Sequence, residues 1–253
     1  MTLNPRQRRL LDAVRQSGTI SVDTLAQQLE VTPQTVRRDV KQMEEAKLLA
    51  RYHGGVGLPS TVVNIDYGQR QGLNIDAKRR IAAEVAARVP PGSSLLINIG
   101  TTTEEVARAL VHHHGLHVVT NNLNVASILA DNPHCEVLVT GGLVRGRDRG
   151  IVGEATIDFI RQFKVDISII GVSSIEADGT LRDFDSREVK VAQAIIDQAR
   201  AVWLVADSDK FGRHALVRMA HLSQIDMLFT DAPPPEALAA VLKEAKVKVV
   251  IAA

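Results

Sequence analysis

Four polar side chains that could read DNA recur on one side of a predicted helix that begins at Pro33. They combine one amide with three cations: Gln34, Arg37, Arg38 and Lys41. Arginine can donate two hydrogen bonds to guanine and glutamine can pair with adenine through two, so this face suits the DNA major groove. The alternative is that these residues are only the solvated surface of an ordinary helix hairpin.

A second group of polar residues could bind phosphate. Gly100 follows a predicted strand, and three threonines, 101–103, then lead directly into a predicted helix. Glycine allows a sharp turn, hydroxyl groups donate hydrogen bonds, and a helix N-terminus presents unpaired N–H groups with partial positive charge. The pattern indicates a phosphate-binding loop, although Thr102 or Thr103 could instead simply cap the helix.

The next two predicted strands also end in small or hydrogen-bonding residues, at 120–122 and 140–142. Because the carboxyl ends of parallel strands lie together, this convergence favours a small phosphorylated ligand. Arginines at 145, 147 and 149 could add charge to the same mouth, or they could form an exposed loop. Lys210, after another strand end, is a better candidate cation.

The remaining polar clusters do not assemble a catalytic or metal site. Asp183, Asp185 and Glu188 could bind sugar hydroxyls, act as an acid or base, or complement the N-terminus of the next helix. The histidines at 112–114 lack a matching carboxylate or further histidine, so we expect an exposed tract, no metal and no cofactor. The candidate effector-binding residues are therefore Gly100, Thr101, Thr102, Thr103, Asn121, Gly141, Gly142, Asp185 and Lys210.

The basic face needs neighbouring helices to position it. Residues 5–16 and 20–30 read as two helices, whose inward side chains are Leu10, Leu11, Val14, Val22, Leu25, Ala26 and Leu29. Thr32 can cap the third helix and Pro33 suits its first position, while Val36, Val40 and Met43 form its apolar stripe. Because helix, turn, cap and basic face occur together, the pattern favours a helix-turn-helix that binds DNA over a solvated hairpin.

A wing is predicted next to this motif. The segment LLARYHGGVGLP reads as two short strands about a Gly54-Gly55 turn. Arg51 and His53 could reach phosphate or a minor-groove edge from such a wing, or they could be solvated hairpin residues. The candidate DNA contacts are Thr32, Gln34, Thr35, Arg37, Arg38, Lys41, Arg51 and His53.

Seven short apolar runs alternate with amphipathic helices in the rest of the chain. They lie at 94–99, 117–120, 136–140, 166–172, 201–206, 227–230 and 247–252. Each run is apolar on both faces, which predicts a mostly parallel sheet covered on both sides, with ligands at the carboxyl ends of its strands. We therefore expect an α/β protein with a DNA-binding domain over 1–58, a linker over 59–74 and an effector domain over 75–253.

Composition and charge agree with a DNA-binding protein of two domains. The 253 residues are 45% hydrophobic and 23% charged, with a net charge of +1. Residues 1–57 hold nine Lys/Arg and six Asp/Glu, a balance of +3, so the positive charge lies with the predicted DNA-binding helices. One cysteine, Cys135, excludes an internal disulfide. Without an apolar signal segment or a run of membrane-spanning length, we expect a soluble cytoplasmic protein.

Over nearly its whole length the chain resembles the DeoR family of bacterial repressors. The segments that carry this resemblance are VTPQTVRRD, RYHGG, INIGTTTE, TNNLNVASILA, GIVGEATIDFIRQF, DGTLRDFDSREV, ADSDKFGR and TDAPPP. Among them GEATIDFIRQF and TDAPPP, together with RDRGIVG, look particular to a branch that responds to glycerol 3-phosphate. The resemblance is strongest in the first two segments, which are shared across the family.

The resemblance implies an N-terminal winged helix-turn-helix and a C-terminal α/β effector domain similar to ribose-5-phosphate isomerase. It implies that residues 100–103 form the phosphate loop and that Asn121, Gly141, Gly142 and Lys210 surround the ligand. Glycerol 3-phosphate, or a related sugar phosphate, would then release the protein from operator DNA. Paired operator half-sites require at least a dimer, so a homo-oligomer, dimer or tetramer, is expected.

Three features leave alternatives open. RDRG stands at 147–150 where the family pattern has Arg-Asp-Gly-Gly, and Ser174 stands where glycine is expected, so another phosphorylated sugar or polyol is an alternative effector. An isomerase-like enzyme fused to a DNA-binding domain is a further alternative. The isomerase has a carboxylate pair after the strand that corresponds to 166–172, whereas this chain reads GVSSI there. Loss of that pair favours a binding domain over an enzyme.

Overall fold

A computed structural model describes residues 3–17, 20–46, 48–52, 55–58, 64 and 66–252 of the chain. The chain divides into two compact units, Met1–Asn74 and Ile75–Ala253. We call them the N-terminal unit and the C-terminal unit. The segment interpreted as a linker contains a short helix, Tyr67–Gly72, that belongs to the N-terminal unit.

The N-terminal unit is a winged helix-turn-helix, which confirms the predicted fold. Its elements are α1 (Pro5–Ser17), α2 (Val22–Leu29), α3 (Pro33–Glu45), β1 (Ala50–Tyr52), β2 (Gly55–Gly57) and α4 (Tyr67–Gly72). Strands β1 and β2 pair antiparallel as the wing, and the isolated bridge from Ile20 to Val56 ties the wing to the segment before α2. The predicted turn residue Gly54 lies outside the described residues.

The predicted apolar stripes form the core of this unit. Val36, Val40 and Met43 of α3 are at most 1% exposed, and Leu10 and Val14 of α1 are fully buried against them. Ser21 caps α2 by accepting a hydrogen bond from the Thr24 N–H at 3.0 Å. The sequence pattern was therefore sufficient to assign both the helices and the faces that they bury.

The C-terminal unit is built on a seven-stranded sheet. Its strands are β3 (Ser94–Ile97), β4 (Leu116–Thr120), β5 (Cys135–Val139), β8 (Val165–Gly171), β11 (Ala199–Val205), β13 (Met227–Thr230) and β14 (Lys248–Ile251). Their order across the sheet is β14-β13-β11-β8-β3-β4-β5, and every neighbouring pair is parallel. All seven predicted runs thus fall in this one sheet, which confirms the predicted α/β fold.

Helices cover both faces of the sheet. They are α5 (Ile75–Ala86), α6 (Thr101–Ala109), α7 (Leu123–Leu129), α8 (Glu154–Ile160), α9 (Ser186–Asp197) and α10 (Glu236–Glu244), with 3-10 turns at Ser208–Lys210 and Leu222–Gln224. Two apolar clusters result, one on each side: the first contains Leu96 and Ile170, and the second contains Leu95 and Ile169. Adjacent residues of one strand enter different clusters because strand side chains alternate between faces.

Two smaller β structures were not predicted. Strands β6 (Leu143–Val144) and β7 (Ile151–Val152) form an antiparallel hairpin, and β9 (Ser174–Ile175), β10 (Thr180–Asp183) and β12 (Val217–His221) form a three-stranded antiparallel sheet. Strands of two residues carry too little periodicity to be recognised in a sequence, and β10 and β12 contain charged residues, unlike the apolar runs of the parallel sheet. Within the described part of the chain, no helix is both long and apolar enough to span a membrane.

Candidate functional site

The predicted DNA-reading face lies on the outside of α3. Gln34, Arg37, Arg38 and Lys41 are all exposed, whereas Val36 and Val40 between them are buried. Thr32 fixes the start of this helix, because its hydroxyl oxygen accepts a hydrogen bond from the N–H of Thr35 at 3.3 Å. The two threonine hydroxyls lie 2.9 Å apart. The face therefore presents donors from a helix whose first turn is held in place.

The wing arginine lies beside the second half of α3. Nε of Arg51 is 3.2 Å from a carboxylate oxygen of Glu44, and its guanidinium donates to the backbone oxygen of Arg37 at 3.4 Å. Its side chain remains 49% exposed, so the same guanidinium is accessible to a phosphate. His53, the other candidate in the wing, lies outside the described residues.

A buried carboxylate that the sequence analysis missed holds α3 against α1. Asp39 is 3% exposed, lies 2.5 Å from Nε of Arg6, and also accepts a hydrogen bond from the Gln7 amide at 3.4 Å. The hydrogen bond and charge of Asp39 raise the pKa of Arg6. The signal was present in the spacing: Asp39 stands three residues after Val36 and four before Met43, which puts it on the buried side.

The predicted phosphate loop connects β3 to α6. Gly100 is the N-cap of α6, and no side chain among the described residues caps that helix, so the structure does not show Thr102 or Thr103 as the cap. The Thr103 hydroxyl points back to the backbone oxygens of Asn98 and Gly100, at 2.9 and 2.8 Å. Thr101 and Thr102 are buried at 9% and 5% exposure. Uncapped N–H groups at the start of α6 can hydrogen bond to an anion.

The ends of β4 and β5 lie beside this loop. The Thr120 hydroxyl donates to the backbone oxygen of Ile97 at 2.7 Å, and Asn121 donates through Nδ2 to the backbone oxygen of Ile151 at 2.9 Å. The Oδ1 of Asn121 and the hydroxyl of Thr140 are buried and have no partner among the described residues. These orphaned polar atoms cost free energy that a hydrogen-bonding ligand could recover.

Gly142 has a structural reason to be glycine. Its φ is +139°, and a Cβ at this position would lie 2.2 Å from the Thr156 hydroxyl and 2.9 Å from the backbone oxygen of Val152. The Thr156 hydroxyl donates to the backbone oxygen of Gly141 at 2.8 Å, which anchors α8 beside the end of β5. Both predicted glycines therefore lie where the hairpin, α8 and the sheet meet.

Arg145 is buried, so the interpretation of this residue as part of an exposed loop was wrong, while a contribution of its charge to the ligand mouth stays a prediction. It is 6% exposed and contacts three carboxylates, those of Asp148 at 2.6 Å, Asp185 at 3.1 Å and Glu188 at 2.7 Å. Arg147 lies on the outside of the same hairpin, 3.3 Å from Asp185. Pairing of the hairpin strands brings Arg145 to the N-terminus of α9, a contact that 40 residues of separation concealed.

The carboxylates of this cluster differ in their titration. Asp185 caps α9, and although burial raises its pKa, hydrogen bonds from Arg187 and the charge of Arg145 together hold that pKa well below its ordinary value. Burial raises the pKa of Glu188 to about 7; the charge of Asp183 adds to this rise and Arg145 opposes it. The helix-terminus role considered for Asp185 is therefore confirmed, and burial brings the pKa of Glu188 close to neutral pH.

A bridge of amides connects this cluster to α6. Glu104, 1% exposed in the first turn of α6, accepts hydrogen bonds from the side-chain amides of Asn122 at 3.3 Å and Asn124 at 3.1 Å. The Asn124 amide also donates to the backbone oxygen of Asp148 at 3.4 Å. A continuous polar network thus runs from the phosphate loop to the Arg145 cluster.

Lys210 ends the 3-10 turn after β11 and is half-buried. Asp207 caps this turn, and Asp231 accepts a hydrogen bond from the Ser208 N–H at 2.7 Å, which fixes the segment at the sheet edge. After β8 the chain carries Ser173, whose hydroxyl donates to Asp183 at 2.9 Å, and Ser174. Across the described ranges, no group of three or more His, Cys, Asp or Glu residues is arranged to hold a metal ion.

Comparison with known proteins assigns both units. The family model described as "DeoR-like helix-turn-helix domain" matches residues 6–62. The family model described as "DeoR C terminal sensor domain" matches residues 73–232. The chain is 45% identical over 244 residues to the glycerol-3-phosphate regulon repressor of Escherichia coli (strain K12), covering 96% of this chain and 97% of the relative. The repressor of the same name from Haemophilus influenzae is 46% identical over 246 residues, covering 97% and 96%.

A differently named E. coli protein, the HTH-type transcriptional repressor CsqR, is 41% identical over 251 residues, covering 99% of this chain and 96% of that protein. Among solved structures, ribose 5-phosphate isomerase A of Methanocaldococcus jannaschii matches with a TM-score of 0.41 at 13% identity, over 55% of each chain. The eIF2B delta subunit of Chaetomium thermophilum matches with a TM-score of 0.49 at 14% identity, over 90% of this chain and 71% of that one.

These three relatives are named as repressors, which agrees with the expectation of a regulator rather than an enzyme. Both matched descriptions belong to one family, and together they span the helix-turn-helix and most of the parallel-sheet unit. On this evidence the chain is a member of the DeoR family of DNA-binding transcriptional repressors.

Proposed function

We propose that this chain is a repressor of the glycerol-3-phosphate regulon type and that glycerol 3-phosphate releases it from its operator. The observation that carries the proposal is the 45% identity over 96% of the chain with a repressor named for that regulon. The exposed face of α3 supports the DNA-binding part, since Gln34, Arg37, Arg38 and Lys41 present donors without burying charge. In this proposal Thr32, Thr35 and Arg51 contact the DNA backbone.

The proposed effector lies at the carboxyl ends of the sheet strands in the C-terminal unit. Its phosphate is bound by the uncapped N-terminus of α6, where Gly100 gives close approach and Thr101 and Thr102 offer hydroxyls. The Thr103 hydroxyl stabilises the loop by donating to the backbone oxygens of Asn98 and Gly100. The remaining contacts come from residues that surround the same edge: Asn121, Gly141, Gly142, Asp185 and Lys210.

Another phosphorylated sugar or polyol is the alternative effector. CsqR, which is nearly as similar to this chain, carries a different name, and the chain departs from the family pattern at 147–150 and at Ser174. The proposed form is a cytoplasmic homo-oligomer, because one helix-turn-helix reads one half-site and paired half-sites need two copies. The ligand acts by binding DNA-free and DNA-bound states with different affinities, since equal affinity would shift nothing.

Fluorescence anisotropy tests this proposal. The purified protein is bound to a labelled operator candidate from beside its own gene and titrated with glycerol 3-phosphate or with glycerol. Release by the phosphate ester but not by glycerol is the expected result. Binding that neither compound disturbs would keep the DNA-binding function and reject this effector, and a screen of other sugar phosphates would follow.

Replacement of Thr102 by valine tests the phosphate loop. Loss of its hydroxyl should raise the glycerol 3-phosphate concentration needed for release by about tenfold, since a hydrogen bond to a charged group contributes roughly 1.5–3 kcal/mol. Operator affinity without ligand should stay at the wild-type value. Thr102→Ser keeps the hydroxyl and serves as the control. A wild-type release curve for Thr102→Val would remove this residue from the site.

A further inference from the structure

The Arg145 cluster adjoins the proposed ligand site and affects which ligands that site can accept. The guanidinium contacts the carboxylates of Asp148, Asp185 and Glu188 at 2.6, 3.1 and 2.7 Å. A guanidinium has donors in a fixed planar fork and no acceptor, so these contacts set the orientation of the carboxylates that it touches. Arg145 is thus engaged with carboxylates rather than presented to a phosphate.

Negative charge exceeds positive charge in the buried part of this cluster. The side chains of Asp148, Asp185 and Glu188 are 2%, 13% and 17% exposed, while that of Arg145 is 5% exposed. The two further arginines that contact Asp185, at 147 and 187, are more than half exposed and are screened by solvent. Among the described residues, Arg145 is the buried cation that contacts Asp185 and Glu188, which we call the acidic wall. Asp185 also accepts hydrogen bonds from the backbone N–H and the guanidinium of Arg187.

Arg145, which contacts the acidic wall, lies about one side chain away from the residue that precedes the phosphate loop. A Cβ built on Gly150 would lie 2.4 Å from the side chain of Ile99 and 3.3 Å from a terminal nitrogen of Arg145. Ile99 immediately precedes Gly100, the N-cap of α6. The N-terminus of α6 and the Arg145 cluster are therefore close enough to contact opposite ends of one small molecule.

An independent observation indicates that the ligand carries a hydrogen-bond donor. Asn121 is 1% exposed and its Nδ2 is used by the backbone oxygen of Ile151, yet its Oδ1 has no partner among the described residues. Ile151 directly follows Gly150 in the hairpin that carries Arg145. An amide oxygen accepts but cannot donate, so a hydroxyl group would satisfy it and a carboxylate would not.

We infer that Arg145 is a positioning residue that orients Asp185 and Glu188 towards the hydroxyl end of the ligand, so that the site selects neutral polyol phosphates over phosphorylated acids. The inference rests on the proposed function, because it takes the ligand phosphate to lie at the N-terminus of α6. Hydroxyl groups donate hydrogen bonds to the acidic wall. A ligand carboxylate would instead meet like charge in a partly desolvated place.

Calorimetric titration of the full chain with two matched ligand pairs tests this selectivity. The first pair is glycerol 3-phosphate and 3-phosphoglycerate, and the second is sorbitol 6-phosphate and 6-phosphogluconate. We expect at least one polyol phosphate to bind about tenfold or more tightly than its acid counterpart. Above pH 7, where Glu188 is mostly ionised, Glu188→Gln keeps the shape and an acceptor oxygen but removes the charge, so it should reduce the preference for the polyol phosphate severalfold. Glu154→Gln, at a side chain that is 79% exposed, is the matched control and should leave it unchanged.

Two further variants separate positioning from folding. Arg145→Lys keeps the charge but loses the planar fork, so polyol phosphate affinity should fall severalfold while affinity for inorganic phosphate stays constant. Asp185→Asn retains the ability to cap α9. Like Glu188→Gln, it should reduce the preference for the polyol phosphate over the corresponding acid. Operator binding without ligand and a melting curve verify that each variant is folded.

The outcomes distinguish this inference from the proposed function. If sorbitol 6-phosphate binds more tightly than 6-phosphogluconate and neither glycerol compound binds, glycerol 3-phosphate is not the effector but the acidic wall selects as inferred. If glycerol 3-phosphate releases the operator while 3-phosphoglycerate binds equally well, the proposed function stands and this inference is overturned. An unchanged preference in folded Glu188→Gln and Asp185→Asn also overturns it, and failure of all four compounds to bind contradicts both.

Discussion

The two units of this protein place their functional groups in opposite ways. In the N-terminal unit one continuous segment, 33–41, presents exposed cations over an apolar core. In the C-terminal unit the candidate site is formed by polar groups from several separate segments of the chain. Many of these groups, such as the side chains of Arg145 and Glu104, are buried. DNA is a large polyanion that must be met at the surface, whereas a small ligand is recognised by groups that are withdrawn from water. Substitutions should therefore separate binding from stability in the first unit and couple them in the second.

Removal of the buried Arg145 side chain should strongly lower the stability of the C-terminal unit. Arg145→Ala leaves buried carboxylates without their cation and should lower the free energy of unfolding by about 3–5 kcal/mol. Arg147→Ala, at a side chain that is 54% exposed in the same hairpin, should cost less than about 1 kcal/mol. Fluorescence of Trp203, the single tryptophan, reports urea unfolding of this unit because the residue is 7% exposed in β11. If Arg145→Ala and Arg147→Ala were equally stable, the buried charge cluster would not stabilise this unit and the proposed contrast between the two units would be wrong.

In the N-terminal unit the expected effect is on binding alone. Arg37→Ala should weaken operator binding by about 1–3 kcal/mol and relax base preference, because a bidentate contact to guanine is lost. Its unfolding curve should match that of the wild type, since the side chain is exposed. Arg8→Ala removes an exposed positive charge from another helix, α1, and is the control. Footprinting in which the two variants behave alike would reject a base-reading role for Arg37.

The raised pKa of Glu188 predicts a pH dependence confined to the C-terminal unit. A carboxyl group whose pKa rises to about 7 on folding holds its proton more tightly when folded, so its contribution is full below pH 4.5 and is lost as pH rises towards 7. Stability of the wild type should fall by about 1–2 kcal/mol across this window relative to Glu188→Gln. Trp203 fluorescence in urea at several pH values measures this difference. Parallel pH profiles for the two proteins would show that Glu188 does not titrate there.

The smallest effect concerns local helix stability. Ser21→Ala removes the cap of α2, whose oxygen accepts from the Thr24 N–H, and should cost about 1 kcal/mol. Ser21→Asp restores an acceptor and should recover most of the loss. Thermal melting followed by the helical circular dichroism signal measures both variants. A loss in Ser21→Ala that Ser21→Asp fails to recover would show that Ser21 acts through something other than capping.

Local patterns in the chain were enough for the main elements of both units. The α3 stripe and its Thr32 cap were recognisable because helix periodicity and capping depend on residues a few positions apart. The seven sheet strands were recognisable because strands buried on both faces must be apolar throughout. The phosphate loop followed from the order of strand, glycine and helix start, and its role in binding stays a prediction, as does that of each proposed DNA contact.

The identity of the helices and strands, and the faces that they expose, follow from the sequence because they depend on contacts within one turn or one strand. The partners of charged residues that are distant in the chain depend on the tertiary fold. Asp39 enters a helix core because Arg6 and Gln7 meet it, and Arg145 is buried because the β6–β7 hairpin brings it to α9. A charge is buried only where opposite charge compensates it, and that compensation comes from residues 33 and 40 positions away, which chain folding alone brings together.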